Sequence, residues 1–193
     1  MTEETLENNF QNKLKNFFNK NLRNLIILSV FVILILFSYF FYKDLQKKKE
    51  IELSEHYTQA TIQFNEKKIT AAVKLLENII NENHKFYSPL ALYFIIENNL
   101  ESDSLKIINF FDKILSNKSI EKENLNLIRI KKAIFLFNLG NEEAIIKTLN
   151  PVINSNSVWR NMAIKLISDY FISKDEKSKA KEYIELINNK IKE

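Results

Sequence analysis

Side chains able to do chemistry are few in this sequence and poorly spaced for it. The two histidines, His56 and His84, stand 28 residues apart. Neither has a second histidine three or four positions away, the spacing that sets two imidazoles on one helix face for a metal, so both read as surface or groove residues. The acidic groups Glu121-x-Glu123, Glu142-Glu143 and Asp175-Glu176 fall near expected helix starts. There a carboxylate complements the helix dipole, which accounts for them without an acid–base pair. Serines and threonines are scattered with no histidine partner pattern. These residues predict no catalytic centre, no cofactor and no metal.

Composition points the same way. One glycine and two prolines in 193 residues leave no material for a phosphate-binding loop, a dinucleotide fingerprint or a nucleophile elbow, each of which needs closely spaced glycines. An all-β fold built on tight turns is excluded on the same ground. The absence of cysteine removes disulfides, thiolate zinc sites, cysteine nucleophiles and N-terminal lipidation at cysteine. A net charge of +4 comes from 28 Lys+Arg against 24 Asp+Glu, and only Arg23, Arg129 and Arg160 are arginine. Binding to nucleic acid calls for a one-sided basic stripe, usually arginine-rich, so this mixed surface predicts no nucleic-acid partner.

The elements that must position the rest begin with an uncharged run, Leu25 to Tyr42. Fourteen of its 18 residues are Leu, Ile, Val or Phe. At roughly −0.4 kcal/mol per apolar residue the run favours insertion by about 6 kcal/mol. At about 1.5 Å per residue it reaches roughly 27 Å, enough to cross a bilayer core. Tyr39 and Tyr42 sit where an aromatic belt meets an interface, and Lys20, Arg23 and Lys43 flank the run. Bulky Phe40, Phe41 and Tyr42 occupy the place where signal cleavage needs small residues, so the segment reads as an uncleaved anchor. Lys13, Lys15, Lys20 and Arg23 precede it, and Lys43, Lys47, Lys48 and Lys49 follow; four against four leaves orientation undecided by charge. The expected organisation is a short tail (1–24), a membrane helix (25–42), a charged stalk (43–50) and a helical domain (51–193).

In that domain apolar residues recur at three and four with brief turn signals, which predicts helix almost throughout. No breaker stands between the apolar run and Asn65, so the anchor is expected to continue as helix into water. Pairs are expected at 51–66 with 69–82, 88–100 with 103–116, 122–138 with 142–154, and 158–173 with 176–190. Their starts are 34 to 37 residues apart, the tetratricopeptide period. Ser88-Pro89 reads as an N-cap with proline first in the helix, Ser155 to Ser157 and Ser173 to Asp175 as later caps, and Gly140-Asn141 as a turn. Pro151 is expected to kink or end its helix near Asn150. Small residues at helix crossings support the repeat: Ala60 with Ala72, Ala133 with Ala144, and Ala180 followed by Ile184 and Ile187. Ala91 and Ser104 are weaker stand-ins in the second pair.

Aromatics fall on the first helices of the pairs: Tyr57, Phe64, Tyr93, Phe94, Phe135, Phe137 and Trp159. First helices line the concave face of such arrays, where aromatic anchors hold extended peptides or partner helices. The same spacing suits packing between repeats. Tyr57 and Trp159 are the preferred groove candidates, because tyrosine and tryptophan tolerate one wet edge.

The layout resembles a known family. A charged preamble with Phe17-Phe18-Asn19-Lys20-Asn21, one membrane helix, a stalk and then Ser54-x-x-Tyr57-x-x-Ala60 opening the first repeat are similar to the ancillary SecYEG translocon subunit family. The resemblance implies a bacterial inner-membrane protein with its N-terminus in the cytoplasm and tetratricopeptide-like repeats in the periplasm. It further implies association with the Sec translocon and periplasmic chaperones, and no catalysis. The expected function is a non-enzymatic, membrane-anchored protein-binding scaffold; the alternative is an adaptor of another membrane assembly with cytoplasmic repeats.

Overall fold

The computed structural model describes residues 3–189, with side chains among residues 12–187 apart from those of 14 and 17–19. Every regular element among the described residues is helical: α1 (Glu3–Asn65), α2 (Ile69–Asn81), α3 (Tyr87–Glu97), α4 (Ser104–Leu115), α5 (Lys122–Leu139), α6 (Glu142–Ile153), α7 (Arg160–Ser173) and α8 (Lys177–Asn189). The described chain is all-α, a long N-terminal apolar helix followed by seven shorter ones. The first two residues of the expected tail, residue 190 of the fourth pair and the side chains of Phe17-Phe18-Asn19 lie outside what is described.

Backbone contacts divide the chain after Glu52. In the first unit α1 is helical from Glu3, so residues 3–24 of the expected tail are helix too. Its apolar stretch is entirely unburied, with Phe37 75% exposed. The Ser29 hydroxyl donates to the Leu25 carbonyl at 2.9 Å, returning its polarity to the helix backbone. Asp44 and Lys48 pair at 2.8 Å one turn apart on α1, after the apolar run.

The second unit begins at Leu53 with the last turns of α1. Successive helices α2 to α8 pack each against the next, and α5 also packs on α7. Two apolar cores result. The first gathers Leu53 and Ala60 of α1, Leu76 and Ile79 of α2, Leu92 and Ile95 of α3, Phe111 and Ile114 of α4, and Ile128 of α5. The second joins Ile130, Ala133 and Leu136 of α5 to Leu149 of α6, Ile164, Ile167 and Tyr170 of α7, and Ala180 of α8. α5 therefore feeds both cores from adjacent faces. The expected small residues Ala60, Ala72, Ala91, Ala133 and Ala180 are buried, where a missing side chain lets helices approach.

The turn inside each pair has one residue with left-handed backbone: Lys67 (φ 63°), Asn99 (φ 50°), Gly140 (φ 68°) and Asp175 (φ 60°). Three of them close the same two hydrogen bonds. Lys68 N donates to Gln63 O and Lys67 N to Phe64 O; Leu100 N to Ile95 O and Asn99 N to Ile96 O; Glu176 N to Phe171 O and Asp175 N to Ile172 O. This is the Schellman termination, which satisfies the last carbonyls of a helix. Between pairs, polar bridges recur about one repeat apart. Asn117 Nδ2 donates to Asn83 O across 34 residues, and Lys113 Nζ to Asn81 Oδ1 across 32. Ser157 Oγ donates to Glu123 Oε2 across 34, and Lys179 Nζ to Glu142 Oε1 across 37.

Some expectations are corrected. Ser88 is no N-cap: α3 already begins at Tyr87, and Ser88 is fully buried inside it. Its hydroxyl donates to Ile79 O at 2.7 Å and accepts from His84 N at 2.8 Å, tying α3 to the end of α2. Pro151 does not end α6, which runs to Ile153. Burial of Val152 and Ile153 holds the last turn, and Asn154 N still reaches Asn150 O at 3.0 Å. Trp159 is the N-cap of α7 rather than a residue within it. Ser173 lies inside α7, its hydroxyl spent on Tyr170 O. Ile184, on α8, is 42% exposed.

Candidate functional site

The acidic groups at helix starts have structural partners. Glu123, in the first turn of α5, accepts from Ser157 Oγ at 2.6 Å and Val158 N at 3.2 Å, so it fixes the approach to α7 as well as facing its own helix dipole. Glu142 and Glu176 both reach Lys179, which raises the ammonium to about 12, the Glu176 hydrogen bond being the larger cause. Among the described residues no group of three histidines, cysteines or carboxylates converges as metal ligands would. His84 is half-buried in the α2–α3 turn, where Nδ1 accepts from Phe86 N and Tyr87 N, both at 3.2 Å, so the imidazole caps α3.

The aromatics separate into three settings. Tyr57 and Phe64, on the last turns of α1, both meet Phe94 of α3 edge-on, with centroids 6.1 and 5.2 Å away. Burial raises the Tyr57 hydroxyl above its ordinary range, and the Glu97 carboxylate adds to it. Phe137 lies edge-on to Tyr170 at 5.2 Å, and Trp159 packs half-buried on the second core. Tyr93 and Phe135 line open space.

That space lies between α3 and α5. One pocket of about 260 Å³ is walled by Phe86, Pro89 and Leu90 at the start of α3 and by Leu127 and Ile128 of α5, with Lys85 at its edge. A second, about 160 Å³, is walled by Ile96 of α3, Phe111 of α4, and Ile134 and Phe135 of α5, with Glu97 and Lys131 alongside. Tyr93 lines both. The Lys131 ammonium sits 4.4 Å from its ring centroid, and burial pushes the Tyr93 hydroxyl up to about 12. Exposed Phe86 (58%) and Ile134 (43%) border these pockets.

Of the residues read from sequence as partner contacts, Tyr93 alone lines the pockets, whereas Tyr57, Phe64 and Phe94 cluster with one another; Phe135, an aromatic of a first helix outside that set, lines the smaller pocket. Lys131, Leu127 and Ile134 were not foreseen. Their signal was present: Leu127, Lys131 and Ile134 recur at four and three on a face of α5 distinct from the one carrying Ile130, Ala133 and Leu136.

Among the described residues, successive helices α2 to α8 packed each on the next, with a repeated turn and an open groove between α3 and α5, define a helical-repeat protein of the tetratricopeptide type. The chain matches the model of the tetratricopeptide repeat-like domain over residues 15–190, and it belongs to that family. No curated protein and no solved structure matches it. Arrays of this family are generally non-catalytic and mediate protein–protein contact.

Proposed function

We propose that the protein is a single-pass membrane scaffold whose repeat domain binds other proteins without catalysing a reaction. One observation carries this reading: an unburied, uncharged span and a repeat array lie within a single family match. The finer proposal is that the scaffold serves the Sec translocon of the bacterial inner membrane, with residues 1–24 as a cytoplasmic tail and residues 51–193 in the periplasm beside chaperones and emerging chains. The similarity of the preamble, span, stalk and first repeat to the translocon's ancillary subunits supports it. Tyr57, Phe64, Tyr93, Phe94, Phe137 and Trp159 are the proposed partner contacts, and Tyr93 lines both pockets of the groove.

Two measurements test it. A C-terminal reporter active only in the periplasm should give signal from the full chain. Crosslinking in the native membrane, read with antibodies to the translocon subunits, should give an adduct. A silent periplasmic reporter with an active cytoplasmic one would move the repeats to the other side and leave an adaptor of a different assembly. Absence of the adduct would remove the translocon.

A further inference from the structure

Three lysines of the domain, half-buried Lys106, buried Lys132 and exposed Lys179, have carboxylate partners. Lys106 reaches Glu77 at 2.6 Å and Glu101 at 2.8 Å, Lys132 pairs with Asp112, and Lys179 holds Glu142 and Glu176. Lys131 differs. It is half-buried at the groove with its ammonium over the Tyr93 ring, and no carboxylate of the described residues comes within 4.0 Å. Lys85, at the far edge of the larger pocket, has no ion pair either. Glu97 is the one carboxylate among the lining residues; it lines the smaller pocket with Lys131 but lies beyond ion-pair distance of it. A cation on an aromatic face keeps most of its charge for another partner, since the ring quadrupole compensates only a fraction of it.

The pockets also set a spacing. Their α5 walls centre near residues 126 and 134, eight residues apart, which is about 12 Å along a helix. An extended chain covers about 13 Å in four residues, and residues i, i+2 and i+4 point to the same face. Resting on the scaffold reading above, we infer that the α3–α5 groove takes an extended protein segment with apolar side chains four residues apart and an acidic side chain midway. The apolar side chains fill the two pockets, and the carboxylate meets Lys131 over Tyr93. An acidic residue at the outer end, toward Lys85, adds to the same polarity; a basic one midway faces Lys131 and is rejected.

The test uses the full chain in lipid nanodiscs and two fluorescein-labelled ten-residue peptides, followed by anisotropy. Both have leucines four apart in a serine background; one has glutamate midway and the other lysine. The glutamate peptide should bind at least about tenfold tighter, as expected when like charges are brought together in the wrong pair. Lys131→Glu should reverse the preference, and Lys131→Gln should erase it, with the helical circular dichroism of both variants unchanged. Equal binding of the two peptides, no binding of either, or an unaltered preference in Lys131→Glu would overturn the proposal. Native-membrane crosslinking in the same Lys131→Glu strain separates the two readings: adducts that persist while the peptides fail leave the scaffold standing and dispose of this groove.

Discussion

At the level of single residues, the domain is held by polar side chains doing backbone work in buried places. Ser88 is the clearest. Its hydroxyl satisfies Ile79 O and His84 N at the junction of α2 and α3, out of solvent. Ser88→Ala should lower unfolding stability by about 1–3 kcal/mol, since the buried Ile79 carbonyl loses its hydroxyl donor and His84 N its acceptor; chemical denaturation followed by circular dichroism measures it. Tyr93 gives a pH signature. Its hydroxyl titrates near 12 in the folded protein against 10.0 ordinarily, because burial penalises the phenolate. A raised folded value means the contribution is complete below the ordinary value and is lost as pH rises from 10.0 toward 12. The ultraviolet tyrosinate band should therefore show a late component that Tyr93→Phe removes. Sequence alone offered Tyr93 as one of several aromatics at helical spacing. What singled it out, Lys131 at 4.4 Å, joins residues 38 apart on different helices, and no local pattern carries that.

Among the elements, the helices were legible and their ends were not. The expected pairs match α2 to α8 to within about three residues, because each helix buries a stripe recurring at three and four. The turns were obscure because left-handed backbone usually announces itself as glycine, and this chain has a single glycine. Lys67, Asn99 and Asp175 take the conformation with a Cβ present. The left-handed penalty for a residue with a Cβ is about 1–2 kcal/mol, and glycine offsets it with about 0.5–1 kcal/mol of extra chain entropy. Gly140→Ala should then cost about 1 kcal/mol. A Cβ there would meet only Lys174 Nζ at 3.8 Å, an ordinary contact, so the loss belongs to the backbone. Lys67→Gly should move stability the other way by about the same amount. Opposite shifts in melting temperature check the pair. Pro151 misled for a related reason: proline in a last turn removes one hydrogen bond, and burying Val152 and Ile153 outweighs it.

For the whole molecule, the chain divides by solvent preference. The apolar stretch of α1 is unburied among the described residues, while from Leu53 onward the chain builds two cores of its own. That unburied stretch is long and apolar enough to cross a membrane, with an insertion preference of roughly 6 kcal/mol, and the single-span proposal is tested on it. The full chain should therefore stay with the membrane pellet through alkaline carbonate extraction. A fragment of residues 44–193 should leave it, stay soluble and keep a mostly helical circular dichroism spectrum, because Leu53, Ala60 and their partners on α2 to α4 are all retained. Had the apolar run been a core helix, its removal would have exposed a cavity and the fragment would aggregate or lose helix. A fragment that remained in the pellet would place a second membrane attachment within the repeats, and the single-span reading would fall.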